Sequence, residues 1–120
     1  MRFAVLFTLL ITLIGCATTA PPQSYRPRDY SGPAWVITGN YDSMSHTLTV
    51  LINGDPAIEG KLSAWDGSGS LIGKHEGYTV MANCESIQKG GTYIGRVYVP
   101  QTQERCTVLV DNEMAATLLF

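Results

Sequence analysis

From Ala34 onward, apolar and polar positions alternate in short runs. No window of ten or more residues keeps a 3.6-residue period without a Gly or Pro interruption. Such a pattern predicts β-strands separated by turn residues. The first strand is expected over about Trp35 to Tyr41, followed by a turn at Asp42-Ser43-Met44-Ser45. The second covers about Thr47 to Ile52, with Leu48, Val50 and Ile52 on one face. Asn53-Gly54 then signals a tight hairpin, because both central residues of a type I′ turn need positive φ. Pro56 stands at the start of a third strand, about Ala57 to Trp65, where its missing N–H is tolerated.

Asp66-Gly67-Ser68-Gly69 makes the next turn, and a fourth strand covers about Ser70 to Lys74. Glu76-Gly77 leads into a fifth, about Tyr78 to Cys84, with Tyr78, Val80, Ala82 and Cys84 on one face. Lys89-Gly90-Gly91 reads as a loop before a sixth strand, about Thr92 to Val99, which Pro100 ends. The seventh is about Arg105 to Val110, and Asp111-Asn112 turns into the eighth, about Met114 to Phe120. The expectation is an all-β antiparallel meander of eight strands, either a small barrel or a two-sheet sandwich. Gly60, Gly73 and Gly95 would ease tight curvature. The strands are mostly shorter than the 9–11 residues of a membrane-spanning strand, so a domain beside a membrane is expected.

One stretch echoes another. Thr49-Val50-Leu51-Ile52-Asn53-Gly54-Asp55-Pro56-Ala57 aligns with Thr107-Val108-Leu109-Val110-Asp111-Asn112-Glu113-Met114-Ala115. Both windows read strand, polar turn, strand. Either the fold is duplicated or two hairpins converge on one recipe.

The N-terminus has a different character. Arg2 is followed by an apolar run from Ala4 to Ile14, too short for the about 20 residues of a spanning helix. A signal peptide over residues 1–15 is the expectation. Leu13-Ile14-Gly15-Cys16 resembles the lipobox of bacterial lipoproteins. The resemblance implies lipid on the Cys16 thiol, cleavage before Cys16 and acylation of the new amino group. Ala17, where an Asp would imply retention at the inner membrane, favours the outer membrane, on its periplasmic face. Residues 16–33 are rich in Pro, Ser and Thr and read as the lipidated Cys and a flexible tether before the β domain at 34–120. Tyr25, Arg26, Arg28 and Tyr30 lie in that tether.

Composition narrows the function. The chain of 120 residues has 8 basic and 10 acidic side chains, and removing Arg2 with the signal peptide widens the acidic excess. No nucleic-acid partner is expected from that balance. Of 3 cysteines, Cys16 is the lipid site, and Cys84 and Cys106 are expected to form one disulfide in an exported protein.

The search for chemistry returns little. His46 and His75 are the only histidines, and both are read as solvent-facing turn residues. Ser43, His46 and Asp42 make a triad on paper only, without a GxSxG elbow. No metal-ligand spacing, P-loop or cofactor motif is present. The aromatics Trp35, Trp65, Tyr41, Tyr78, Tyr93 and Tyr98 are assigned mainly to the core, with one or two left for a binding patch. The expected function is a non-catalytic binding or interaction module, lipid-anchored in the cell envelope. Its partner would be another envelope protein, a glycan or a secreted foreign enzyme. The alternatives are an accessory subunit of a secretion, pilus or conjugation assembly, and a lysozyme inhibitor. Lysozyme-inhibitor lipoproteins are similar in size, anchor, eight-stranded barrel and disulfide, but none of their inhibitory segments is recognisable here.

Overall fold

The structure is a computed structural model and describes residues 17–120. The expected signal peptide over 1–15 and the expected lipidation site at Cys16 lie outside the described residues. Among the described residues there is no helix, and nine strands form two antiparallel sheets. They are β1 (Ala17–Thr19), β2 (Gln23–Tyr25), β3 (Trp35–Asp42), β4 (Thr47–Ile52), β5 (Asp55–Lys61), β6 (Gly69–His75), β7 (Tyr78–Ile94), β8 (Val97–Val110) and β9 (Glu113–Leu119). In the first sheet β3, β4 and β5 follow in order, with β1 and β2 end to end along the free edge of β3. The second sheet has the order β6-β7-β8-β9.

Alternation fixes the inward faces. Trp35, Ile37, Leu48, Val50 and Ile52 from the first sheet join Val80, Cys106, Val108 and Leu118 from the second in one core. The predicted type I′ turn at Asn53-Gly54 has positive φ at both residues, and so do the predicted turns Glu76-Gly77 and Asp111-Asn112, between 47° and 84° over the three.

The echo is structural. β2-β3-β4-β5 and β6-β7-β8-β9 are the same four-stranded meander built twice. The β4–β5 register shifts between Val50 and Leu51, and the β8–β9 register shifts between their equivalents, Val108 and Leu109. Trp35 and Tyr78 start equivalent strands, and their rings meet edge-on at 5.2 Å.

One alternative is settled and three expectations are corrected. First, the two-sheet arrangement is the one present, and the barrel is not closed. β5 and β6 approach closely at Gly73, where an added Cβ would lie 1.8 Å from the Ala57 carbonyl oxygen, but they share no ladder. On the other side β2 and β9 are joined through the Gln23 side chain, which hydrogen-bonds both the N–H and the C=O of Thr117. Second, the predicted tether carries β1 and β2. Isolated residues anchor it without any periodicity. Ala20 is buried, with its N–H bonded to the Gly39 oxygen at 3.0 Å and its carbonyl to Thr38 Oγ1 at 2.6 Å. Tyr25 and Tyr30 set their edges against Trp35.

Third, the predicted sixth strand is the tip of a hairpin. β7 runs from Tyr78 to Ile94, turns at Gly95-Arg96 and returns as β8. Lys89-Gly90-Gly91 is therefore no loop, and the β7–β8 register shifts between Gln88 and Gly90 as at a β-bulge. Fourth, the third strand ends at Lys61, which leaves Trp65 in the loop before β6.

Candidate functional site

Beyond Cys84 and Cys106 the hairpin leaves the body. β6 pairs with β7 only as far as Cys84, and β9 pairs with β8 only as far as Arg105. The remaining ribbon, through Ile94 and Val97, projects roughly 30 Å at about 3.4 Å per residue. Beyond the Phe120 N–H bond to the Glu104 oxygen, both of its outer edges are unpaired within the described residues. Its middle is polar, with Gln88, Gln101, Thr102 and Gln103. Its tip is not. Tyr93 and Tyr98 stand opposite one another with ring centroids 5.1 Å apart, and Ile94 faces Val97. Tyr93, Ile94 and Val97 are all more than 60% exposed.

The disulfide closes the base of this arm. Cys84 and Cys106 are directly opposite on adjacent strands, with Cα atoms 4.0 Å apart. It does not cross a barrel end or join the two sheets, because the strand read between the cysteines belongs to the same hairpin.

A cleft of about 540 Å³ opens beside the arm base. Thr18, Tyr41, His46, Trp65, Glu104 and Phe120 are among its walls, with Ser86 and Thr102 from the arm. Glu104 is only 8% exposed, and its Oε1 is shut off from solvent without a hydrogen-bond partner. Strand parity explains its position: Glu104, Cys106, Val108 and Val110 share the inward face of β8. Burial, then the charges of Asp66 and Glu85, push its carboxyl up to about 7. Gly67 makes room for it. Its φ is +68°, and a Cβ there would lie 2.3 Å from Glu104 Oε2. Asp66 behaves oppositely, since hydrogen bonds from the Ser68 hydroxyl and N–H hold its carboxyl below the usual range.

Trp65 at the cleft rim is 98% exposed. Tyr41 Oη and His46 Nδ1 are 3.1 Å apart. Desolvation, then the Glu104 and Asp42 charges, raise the Tyr41 phenol above its ordinary value. Of the triad drawn on paper, Asp42 Oδ1 accepts the N–H groups of Met44 and Ser45, and His46 Nδ1 faces the Tyr41 hydroxyl. His75 is not a solvent-facing turn residue, because it ends β6 edge-on to Trp35 at 4.8 Å with Nε2 buried. Donor atoms of Cys84, Glu104 and Cys106 lie within 4.8 Å of one another, but both sulfurs belong to the disulfide. One carboxylate remains, which is no ligand set.

A second depression, of about 440 Å³, lies at the opposite end near Tyr25, Tyr78 and Asn112. Arg28 and Glu113 approach to 3.8 Å there, an exposed pair. Of the aromatics assigned mainly to the core, Trp35 and Tyr41 are buried, while Trp65, Tyr93 and Tyr98 are exposed. Sequence reading missed the arm and Glu104. Gly95 between two β-rich runs was the signal for the arm's turn. The shared parity with Cys106 was the signal for Glu104. No family model, curated protein or solved structure matches this chain.

Proposed function

We propose that this chain is a lipid-anchored envelope protein that acts as a non-catalytic binding module, and that the hairpin arm is its reaching element. The observation that carries the reading is the tip. A ribbon that leaves the body with Tyr93, Ile94, Val97 and Tyr98 in solvent gains nothing for its own core. Apolar and aromatic side chains held at the end of a disulfide-clamped ribbon suit insertion into a pocket of another protein. Unpaired ribbon edges add main-chain groups that a partner strand can use.

The anchor supports the same reading. A lipid on Cys16 would sit one residue before β1, and Thr18 of β1 lines the cleft at the arm base. The lipid and the arm would then emerge from the same end, so the partner is a membrane-associated protein of the envelope. Several acyl chains, at about 0.8 kcal/mol per buried CH₂, would keep the domain at that surface.

Two measurements test this. Metabolic labelling with a fatty-acid probe should mark the wild type and not Cys16→Ser. In cells, a photoreactive side chain at position 93 should give one dominant adduct with an envelope protein. An accessory subunit would adduct a large assembly component, and an inhibitor a secreted protein. No adduct from the tip would remove the reading.

A further inference from the structure

The cleft at the arm base is a second feature, separate from the tip. Among the described residues its walls carry Glu104 and Asp66 and no Lys or Arg. Three aromatic side chains, Tyr41, Trp65 and Phe120, complete them. Glu104 Oε1, sealed beside these rings, has no hydrogen-bond partner among the described residues. An anionic ligand would meet two like charges there. A cation over aromatic faces and beside a carboxylate gains on both counts.

We infer that this cleft is a binding site for an organic ammonium group, seated between Glu104 and the rings of Trp65, Tyr41 and Phe120. Glu104 accepts the ammonium N–H, and Trp65 closes over the alkyl part from the rim. Binding displaces the proton that Glu104 holds near neutrality, so affinity falls on acidification through about 7. The groups facing Glu104 are Asp66 from the β5–β6 loop, Glu85 on β7 with its ion-pair partner Arg105, Tyr41 on β3 and His46 from the β3–β4 turn. A His46→Gln variant removes the imidazole from the comparison. The site does not depend on the arm reading, since neither Tyr93 nor Ile94 lines it.

The test uses the full-length protein with its 2 tryptophans fluorinated and followed by ¹⁹F NMR. Buried Trp35 is the internal reference and Trp65 the reporter. Butylammonium should shift the Trp65 signal saturably, and 1-butanol should not. The affinity should fall by up to about tenfold per pH unit below the Glu104 pKa, in the wild type and in His46→Gln. Glu104→Gln should weaken binding at least tenfold at pH 8 with an unchanged amide spectrum. Equal shifts from the alcohol and the amine, or binding that ignores pH, would overturn the inference. Should Glu104→Gln not fold, the alcohol control and the pH profile of the wild type decide alone. Competition by N-acetyl-lysinamide marks a protein side chain as the source of the ammonium, and competition by phosphatidylethanolamine vesicles marks a lipid headgroup.

Discussion

Asn53 and Asp111 do the same work in the two halves of the fold. The Asn53 N–H donates to the Val36 oxygen at 2.9 Å, while its Oδ1 accepts the Val36 N–H at 2.9 Å. Asp111 repeats both bonds with Thr79, each at 2.9 Å. Both residues also have positive φ, 52° and 47°. Asn and Asp tolerate that conformation and Ala does not. Replacing either by Ala is expected to lower stability by about 1–2 kcal/mol, and Asp111→Asn should change it by less than about 0.5 kcal/mol. Urea unfolding of the three variants checks the ranking.

Gln23 closes the seam between the sheets. Its Oε1 accepts the Thr117 N–H at 3.0 Å, and its amide donates to the Thr117 carbonyl. Gln23→Ala leaves both Thr117 groups without these partners, at a cost of roughly 1–2 kcal/mol. Hydrogen exchange of the Thr117 amide should accelerate in the variant while the Val80 amide, on a central strand, stays protected.

Glu104 makes stability fall as pH rises. Its folded pKa of about 7 lies above the ordinary 4.5, so the native state holds a proton that the unfolded chain releases in between. Stability is highest below the ordinary value and falls through the window up to about 7. The expected loss is roughly 1–2 kcal/mol, after allowing for water reaching the cleft. Glu104→Gln should remove this slope and be the more stable protein at pH 8. Thermal melts at pH 5 and pH 8 read the effect directly.

The disulfide ties the two legs of the arm together at its base. Cys84 and Cys106 enclose a sequence separation of 22. Reduction should cost about 3 kcal/mol through the entropy of the unfolded chain. Amides of the arm near Ser86 and Glu104 should lose protection first, since they lie just beyond the bond.

Turn chemistry and alternation made the body of the fold legible in the sequence. Parity alone puts Leu48, Val50 and Ile52 on one face and Tyr78, Val80, Ala82 and Cys84 on another, and the need for positive φ puts a turn at Asn53-Gly54. The arm was not legible, because Gly90 and Gly91 break a strand pattern locally and their role depends on the facing strand. In the structure the Tyr98 ring covers Gly91, leaving no space for a Cβ. The ordered stretch after Ala17 escaped because its anchoring rests on single residues. Glu104 escaped because an acidic side chain on an inward position contradicts the usual assignment of charge to the surface.

The most direct test of the account is crosslinking from the arm tip in cells that make the protein. A photoreactive residue in place of Tyr93 is compared with one in place of Ile72, an exposed residue of β6 on the body. The account predicts one dominant ultraviolet-dependent adduct with an envelope protein from position 93, none from position 72, and loss of the adduct in Ile94→Ser/Val97→Ser. Equal adducts from both positions, or a tip adduct indifferent to the loss of Ile94 and Val97, would contradict it.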